Sequence, residues 1–185
     1  MVALFSSSVS LSPRRFLVYS IGGVVRDGGV AAVPAEIDTE LRSADTFVLR
    51  MFFTLAIPLA IAAAAAALLN DNDSMGVTSG STIEAFVRQI QSKGPMKVVT
   101  PSIRLGVLLS EKMEVDLRIL GGRIVPESMS TRDEYAIQGL HNVRCSKLFF
   151  SCDGFDFDGG VTTAFVAEAR VTDSMLSVAS EVILL

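Results

Sequence analysis

The segment "VTSGSTIE", residues 77–84, carries the strongest chemical signal in the sequence. A short apolar run leads into a turn with Gly80 and then into a helical pattern, so backbone N–H groups and the positive end of a helix point at one spot. Such a turn binds anions, and phosphate above all. The same letters also read as a capping box, in which Ser81 and Glu84 satisfy the first helical turn without a ligand. The two interpretations are compatible, because other N–H groups of the turn stay free even when Ser81 caps.

Small or polar residues also follow the other apolar runs. Thr100 closes "MKVVT", Gly121 and Gly122 follow "VDLRIL", and Asp153 closes "KLFFSCD". In an open parallel sheet the ligand crevice lies at the carboxyl ends of the strands. We therefore expect Gly80, Thr100, Gly121 and Asp153 to lie along one edge of a sheet.

The sequence lacks the residue sets that most metal sites need. His141 is the only histidine, and Cys145 and Cys152 are the only cysteines, so a zinc-type ligand set cannot be assembled. The acidic stretch "DGFDFDGG", residues 153–160, does not have the ligand spacing of a calcium loop and is more typical of a turn. We expect neither a metal nor a cofactor.

Catalytic groups are equally sparse. His141 lies outside the predicted crevice, and no serine stands in a strained elbow motif, so a nucleophile with its base is missing. Asp153 and Glu168 could act as the base of an isomerase, although carboxylates on helix surfaces are mostly solvated. Thr162 and Thr163 open the last predicted helix, where a hydroxyl commonly caps and less commonly contacts a ligand. The residues favour a binding site over a catalytic one.

Composition narrows the class of protein further. A chain of 185 residues suits one domain, or one domain with an appendage. A net charge of -4, with 16 scattered lysines and arginines, argues against a chain that holds nucleic acid by itself. Two cysteines are too few for a disulfide framework and suit a reducing cytoplasm. Residues 1–15 place their basic pair after the apolar part, the reverse of a secretory signal.

Hydrophobic periodicity after residue 70 predicts strands and helices in alternation. Apolar runs predict strands at 74–78, 96–100, 115–120, 147–153 and 181–185. Amphipathic patterns predict helices at 82–93, 101–112, 133–140 and 163–180. Short apolar strands with helical crossovers predict an α/β fold, an open and mainly parallel sheet with helices on both faces. Residues 154–161 are interpreted as a turn, and the chain before residue 50 as loop, linker or hairpin.

The uncharged run "MFFTLAIPLAIAAAAAALL", residues 51–69, is long enough to cross a membrane as a helix. Its composition favours a helix packed on the sheet, since it contains Pro58 and six consecutive alanines, which contribute little transfer free energy. A helix ending near Leu69 would also precede the first strand at a spacing usual for α/β folds. This interpretation leaves Phe52 and Phe53 without an assigned contact.

Several motifs together resemble the sensor domain of DeoR-family bacterial transcription regulators. "IAAAAAALLNDNDSMGVTSGSTIEAF" is similar to the helix, Gly-Asp turn, strand and Asp-x-Gly-Thr-Thr loop that begin that domain. "VVTPS" resembles its Val-Thr-Asn-Ser segment, and "LRILGGRI" the strand that ends in Gly-Gly. "KLFFSCDGFDFDGGVTTAFVAEARVTDSML" resembles the signature containing Gly-Ile-Asp, Gly-x-Thr-Thr and Glu-Ala. The matches keep the family's order from about Gly22 to Leu185.

The resemblance implies a phosphosugar sensor that performs no catalysis. Its fold would be Rossmann-like, similar to ribose-phosphate isomerases and coenzyme A transferases. A homo-oligomer would relay binding of a phosphorylated sugar to DNA and so regulate carbohydrate catabolism genes. Carried over by position, the phosphate turn would comprise Ser79, Gly80, Ser81 and Thr82, and the rest of the site Thr100, Ser102, Gly121, Gly122, Asp153, Gly154, Thr162 and Thr163. A sugar-phosphate isomerase of similar fold remains the alternative.

The chain also departs from the family pattern. A helix-turn-helix is expected before Gly22 and an Asp-x-Ser-Lys segment after Leu185, and this sequence has neither. Residues 1–50 are therefore interpreted as a tail and linker left after a missing DNA-binding domain, and residues 51–185 as a sensor domain truncated at its C-terminus. DNA would be reached only through a helix-turn-helix outside this chain, and no membrane is expected as a partner. Residues that differ from the family pattern are Pro58, Thr78, Pro101 and Asp133.

Overall fold

The fold was analysed in a computed structural model, which describes residues 16–20, 23–24, 56–70, 72–91, 94–112, 114–156 and 160–185. In chain order the elements are β1 (Phe16–Ser20), β2 (Gly23–Val24), α1 (Ile57–Ala66), β3 (Ser74–Val77), α2 (Ser81–Gln89), β4 (Met96–Thr100), α3 (Ile103–Lys112), β5 (Val115–Ile119), β6 (Ile124–Val125), β7 (Ser130–Thr131), α4 (Glu134–Gln138), β8 (Cys145–Phe150), β9 (Gly154–Asp156), β10 (Gly160–Thr162), α5 (Val166–Val178) and β11 (Ala179–Leu184).

The main sheet has the strand order β2-β1-β11-β8-β3-β4-β5. Every neighbouring pair from β1 to β5 is parallel, and only β2 runs antiparallel to its neighbour. Helices connect the parallel strands, as a parallel pairing requires. Two short hairpins, β6–β7 and β9–β10, stand apart from this sheet and carry parts of the cleft described below.

The core of the molecule lies on both faces of the sheet, because its strands alternate their side chains. On β8, Phe149 belongs to the cluster on one face, and Leu148 and Phe150 belong to the other. Residues of α1, α2 and α3 complete the first cluster, and residues of α4 and α5 complete the second. Phe86 of α2 packs on Phe149 with ring centroids 4.3 Å apart. The predicted α/β fold, with an open, mainly parallel sheet and helices on both faces, is confirmed.

Most predicted elements shift at their ends by a few residues; for example, the strand predicted at 147–153 is β8 and ends at Phe150, and the helix predicted at 163–180 is α5 and begins at Val166. Three predictions differ further from the structure. The helix predicted to residue 93 ends at Gln89, because Ile90 turns to extended backbone and buries its side chain. Residues 154–161 were expected to form a turn but contain the hairpin β9–β10, in which Phe155 pairs with Val161. The loop interpretation of the first fifty residues is wrong over β1 and β2, because "FLVYS" pairs in parallel with the distant strand β11.

The second half of the uncharged run forms α1, which packs against α2. Pro58 stands in the first turn of α1, where its missing N–H has no helical partner to lose. Ala62 and Ala65 are fully buried, and the side chain of Gln89 donates to the carbonyl of Leu59 at 2.9 Å. Among the residues with described positions, no helix is long and apolar enough to span a membrane. Phe52 and Phe53 lie outside the described residues.

A buried ion pair lies near the amino ends of β3 and β8. Lys147 Nζ is 2.5 Å from Asp73 Oδ2 and 3.8 Å from Glu181 Oε2, and its side chain is 9% exposed. Burial would raise the pKa of Asp73, but hydrogen bonds from Lys147, the Asn70 N–H and the Ser146 hydroxyl hold this pKa below its ordinary value. This pair therefore stabilises the end of the sheet opposite the cleft.

Candidate functional site

A cleft of about 390 Å³ opens at the carboxyl ends of β3 and β8. Its walls are the β3–α2 turn, the start of α3, the segment before β7, the residues after β8, the end of β10 and one side of α5. Parallel strands place their carboxyl ends at one edge of the sheet, which is where ligands bind in open α/β folds.

The β3–α2 turn, residues 78–80, forms the floor of the cleft around an obligatory glycine. Gly80 has φ 140°, and a Cβ at this position would overlap the hydroxyl of Ser151. That hydroxyl donates to the carbonyl of Ser79 at 2.9 Å, so the end of β8 holds the turn in place. The first bond of α2 runs from the Glu84 N–H to the Gly80 carbonyl at 2.9 Å. The N–H groups of residues 81–83 precede it and have no helical acceptor.

The predicted capping box is wrong. Gly80, not Ser81, is the N-cap of α2, and no side chain among the described residues caps this helix. Glu84 instead pairs with Arg88 at 2.6 Å and with Arg104 at 3.7 Å. The helix begins one residue earlier than a capping box requires, so the Ser81 side chain lies past the capping position. No side chain among the described residues therefore takes the place of an anion at the N-terminus of α2.

Arg132 is a residue of the cleft that no sequence pattern predicts. Its side chain is 7% exposed, and Nη2 lies 3.0 Å from Ser128 Oγ and 3.0 Å from Glu168 Oε2. The guanidinium also stands 4.6 Å from the ring centre of Phe165, a cation–π contact. Arg132 Nε is buried and has no hydrogen-bond partner within the part of the chain that the structure describes. A buried N–H without an acceptor is costly, which makes it a natural contact for a bound acceptor.

Asp153 organises the opposite wall. One of its oxygens, Oδ2, accepts from the Ala164 N–H at 2.8 Å and from the Thr163 hydroxyl at 3.1 Å. Thr162 belongs to β10, and α5 begins only at Val166, so the two threonines do not cap that helix as predicted. Their position arises from the β9–β10 hairpin, which turns them towards Asp153 and the cleft.

The structure brings together part of the predicted set. Seven members line the cleft: Ser79, Gly80, Ser81, Ser102, Asp153, Thr162 and Thr163. Five do not line it: Thr82, Thr100, Gly121, Gly122 and Gly154. The edge expected for Gly80, Thr100, Gly121 and Asp153 does exist, because β8, β3, β4 and β5 are neighbours, but the cleft occupies only the part of it over β3 and β8.

The β6–β7 hairpin keeps Thr100 out of the cleft. The Thr131 N–H donates to the Pro101 carbonyl at 2.9 Å, and its hydroxyl donates to the Leu120 carbonyl at 2.8 Å. These bonds lay the hairpin over the ends of β4 and β5. Thr100 is fully buried beneath it, and its hydroxyl accepts from the Ser102 N–H at 3.0 Å.

Asp133 stabilises this closing segment at a position where the family resemblance implies a glycine. Its carboxylate accepts from the Arg123 N–H at 2.8 Å and caps α4 by accepting from the N–H groups of Tyr135 and Ala136. These bonds, the one from Arg123 first, hold the pKa of Asp133 below its usual range. Gly122, with φ 117°, packs directly against that carboxylate.

The charged side chains of the lining are mainly acidic. Arg104 and Arg132 are its cations, and its carboxylates belong to Glu84, Glu127, Asp153, Glu168 and Asp173. Burial and the neighbouring Asp153 carboxylate raise the pKa of the Cys152 thiol. This thiol is therefore not activated as a nucleophile. Over the described ranges of the chain, no group of three histidine, cysteine or acidic side chains could hold a metal ion.

Comparison with known protein families decides the identity of this fold. The profile described as the DeoR C terminal sensor domain matches residues 59–185, well over half of the chain. The chain belongs to the DeoR family of transcriptional regulators. The resemblance inferred from the sequence motifs is confirmed. The cleft is thus a feature of a DeoR-type sensor domain.

Individual relatives agree with this assignment. The DeoR-type chain is 28% identical over 125 residues to the putative sgc region transcriptional regulator of Escherichia coli (strain K12), covering 68% of this chain and 48% of that protein. It is 28% identical over 128 residues to the putative aga operon transcriptional repressor of Escherichia coli O157:H7, covering 69% and 48%. The repressor GlcR of Bacillus subtilis (strain 168) is 26% identical over 121 residues, with 65% and 46% covered.

The chain spans about half the length of the curated relatives that it matches. Among solved structures, a transcriptional regulator from Streptococcus pneumoniae TIGR4 aligns at a TM-score of 0.39 and 15% identity, covering 76% of this chain and 64% of that one.

Proposed function

We propose that the cleft binds a phosphorylated sugar and that the domain is a non-catalytic effector sensor. The observation that carries this proposal is the β3–α2 turn, where Gly80 and Ser81 border the cleft and the N–H groups of residues 81–83 have no acceptor among the described residues. A helix N-terminus with free N–H groups favours a phosphate both by hydrogen bonding and by its partial positive charge. Ser79, Gly80, Ser81 and Thr82 form the proposed phosphate site.

The rest of the lining suits the hydroxyl groups of a sugar. Glu127, Asp153 and Asp173 offer carboxylate acceptors, and Thr162 and Thr163 offer hydroxyls that can donate or accept. A volume of about 390 Å³ falls in the range of small-molecule sites. Glu84, the carboxylate at the α2 end of the cleft, is paired with Arg88 and Arg104.

Arg132 supplies the second donor in this proposal. Its Nη2 is already held by Ser128 and Glu168, whereas Nε has no acceptor within the described residues. An oxygen of the ligand would complete the hydrogen bonds of this side chain. The guanidinium is fixed by the Phe165 ring beneath it, so binding would require little ordering of the arginine.

Effector binding would be relayed to DNA by parts of the regulator beyond the sensor domain. We propose that a helix-turn-helix outside this chain contacts the operator, that the regulated genes serve carbohydrate catabolism, and that the protein works in the cytoplasm. Relatives named as an aga operon repressor and as the repressor GlcR support a role in repression.

Isothermal titration calorimetry with pairs of sugars tests the proposal. Each sugar phosphate would be titrated beside the same sugar without phosphate, with inorganic phosphate as a competitor. We expect binding of at least one phosphorylated member, no measurable heat for its unphosphorylated partner, and competition by inorganic phosphate. Equal binding of both members of every pair would count against the phosphate site.

A sugar-phosphate isomerase is the second candidate, because the carboxylates of Asp153 and Glu168 border the same cleft. Both are engaged in the structure, Asp153 by the Ala164 N–H and Thr163 hydroxyl, and Glu168 by Arg132. These contacts favour a structural use of both groups over that of a free base. Turnover of a bound sugar phosphate, followed by NMR and lost in Asp153→Asn or Glu168→Gln, would establish the enzyme instead.

A further inference from the structure

The outer side of β5 is an open edge of the sheet, since no described strand pairs with it. The hydrogen bonds at the two ends of β5 show which of its backbone groups point to β4. The Leu120 N–H donates to the Thr100 carbonyl at 2.9 Å, and the Glu114 carbonyl accepts from the Met96 N–H at 3.3 Å. Even-numbered residues thus direct their backbone groups to β4. Odd-numbered residues of β5 direct theirs to the open edge, because the direction alternates along a parallel strand.

The side chains of this edge strand separate into a charged face and an apolar face. Asp116 and Arg118 are exposed on one face, and neither forms an ion pair with a described residue. Leu117 and Ile119 lie on the other face beside α3, where Gly106 leaves room for both. Ile119 is nevertheless 44% exposed, which is unusual for a large apolar residue within a sheet.

We propose that β5 is a self-complementary interface through which two copies of this chain join their sheets. The strands run antiparallel about a two-fold axis at Leu117, as an isologous interface requires. In this register Asp116 of each copy lies opposite Arg118 of the other, which gives two symmetric ion pairs. Val115 lies opposite Ile119 and covers its exposed side. The outward N–H and C=O groups of the two strands form roughly six hydrogen bonds, two for each hydrogen-bonded residue pair.

The order of Asp116 and Arg118 along β5 favours this register over the two adjacent antiparallel registers. If the two-fold axis moves from Leu117 to the next residue, Arg118 lies opposite Arg118. If it moves to the preceding residue, Asp116 lies opposite Asp116. Like charges directly opposite each other destabilise an antiparallel pair. Charged residues on an edge strand can also serve to prevent pairing. If the charged residues of the edge strand all had the same sign, they would repel a second copy. An acidic and a basic residue two positions apart attract it instead.

The same strand also contacts the cleft through one helix. Arg104 of α3 lines the cleft, and Gly106, half a turn later, stands against Ile119 of β5. Pairing of β5 would therefore hold in place a helix that forms part of the effector site. The interface itself does not depend on which ligand the cleft binds.

A charge-swap experiment on the whole chain tests the proposal. The dissociation constant of the dimer would be measured by sedimentation equilibrium for the native sequence, Asp116→Arg, Arg118→Asp and the double exchange. Each single exchange creates two like-charge pairs, so we expect the dimer to weaken by about tenfold or more. The double exchange restores both ion pairs, so its dissociation constant should return to within about threefold of the native value.

Two further variants serve as controls. Arg170→Asp changes the net charge as Arg118→Asp does, but on the exposed surface of α5 outside the cleft, and should leave association unchanged. Leu117→Pro removes an N–H that points to the open edge, so it should weaken the dimer while β4 keeps its bonds. Circular dichroism would verify that each variant is folded.

Several results would overturn the proposal. One is a native chain that stays monomeric up to roughly 100 µM, a concentration at which even weak specific dimers form. Association could be insensitive to both single exchanges, or the double exchange could fail to restore it. A loss with Arg170→Asp equal to that with Arg118→Asp would show a net-charge effect and refute the pairing.

Discussion

A negative charge introduced at Ser81 should have opposite effects on two properties: it should stabilise α2 and weaken anion binding. Ser81 is the first helical residue, its side chain is exposed at the cleft, and it caps nothing among the described residues. An aspartate at this position would favour the helix by about 0.3–1 kcal/mol, because negative charge suits a helix N-terminus. The same aspartate would repel a phosphate held by the N–H groups of the first turn.

The size of this repulsion follows from the geometry. A carboxylate at the first helical residue would stand about 5 Å from a phosphate dianion bound at the helix end. With an effective dielectric constant of about 60 for an open cleft, one charge facing two at that distance costs roughly 2 kcal/mol. That is about a thirtyfold loss of affinity. The loss should shrink as salt is added, since the cleft is open to screening ions.

Calorimetric titration of the native chain, Ser81→Asp and Ser81→Asn with one sugar phosphate measures the effect. Asparagine has nearly the shape of aspartate without its charge, so Ser81→Asn should bind within about threefold of the native chain. Thermal unfolding should show Ser81→Asp to be at least as stable as Ser81→Asn. Equal affinities for the two variants would refute the placement of phosphate at this turn.

Three further perturbations have defined outcomes. Arg132→Met keeps much of the packing on Phe165 but removes the donors, so calorimetry should show a loss of ligand affinity of about tenfold or more. Gly80→Ala should lower the free energy of unfolding in urea by roughly 2–3 kcal/mol, because its Cβ meets Ser151 at a positive φ, whereas Gly94→Ala, whose Cβ meets nothing, should be close to neutral. Because the pKa of Asp73 is depressed in the folded state, its stabilisation is complete above about pH 4 and lost as the pH falls through the folded pKa, so Asp73→Asn should flatten the fall of melting temperature in acid.

The strands were predictable where the hydrophobic pattern is local and continuous. "MKVVT" is β4 residue for residue, because a strand buried on both faces reads as one apolar run. β1 was missed although "FLVYS" has a strand composition, because its partner β11 lies at the other end of the chain. The glycines and aspartates of residues 153–160 predict a turn, and this composition gives no sign that residues 154–156 and 160–162 pair as strands.

The candidate site divides in the same way. The β3–α2 turn was predictable, because a strand, a glycine and a helix start are adjacent in sequence. Arg132 was not, because its environment is made by Ser128, Phe165 and Glu168, which meet only in the folded chain. The position of Thr100 was misjudged for the same reason, since the hairpin that covers it comes later in the chain.

Amide NMR spectroscopy of the labelled chain tests the central claim most directly. The backbone N–H signals of Ser81, Thr82 and Ile83 would be followed during titration with a sugar phosphate and with the same sugar lacking phosphate. We predict large, saturable shifts of these three signals with the phosphorylated sugar alone. Saturable binding of a sugar phosphate that leaves these three amides unmoved would contradict a phosphate site at the N-terminus of α2.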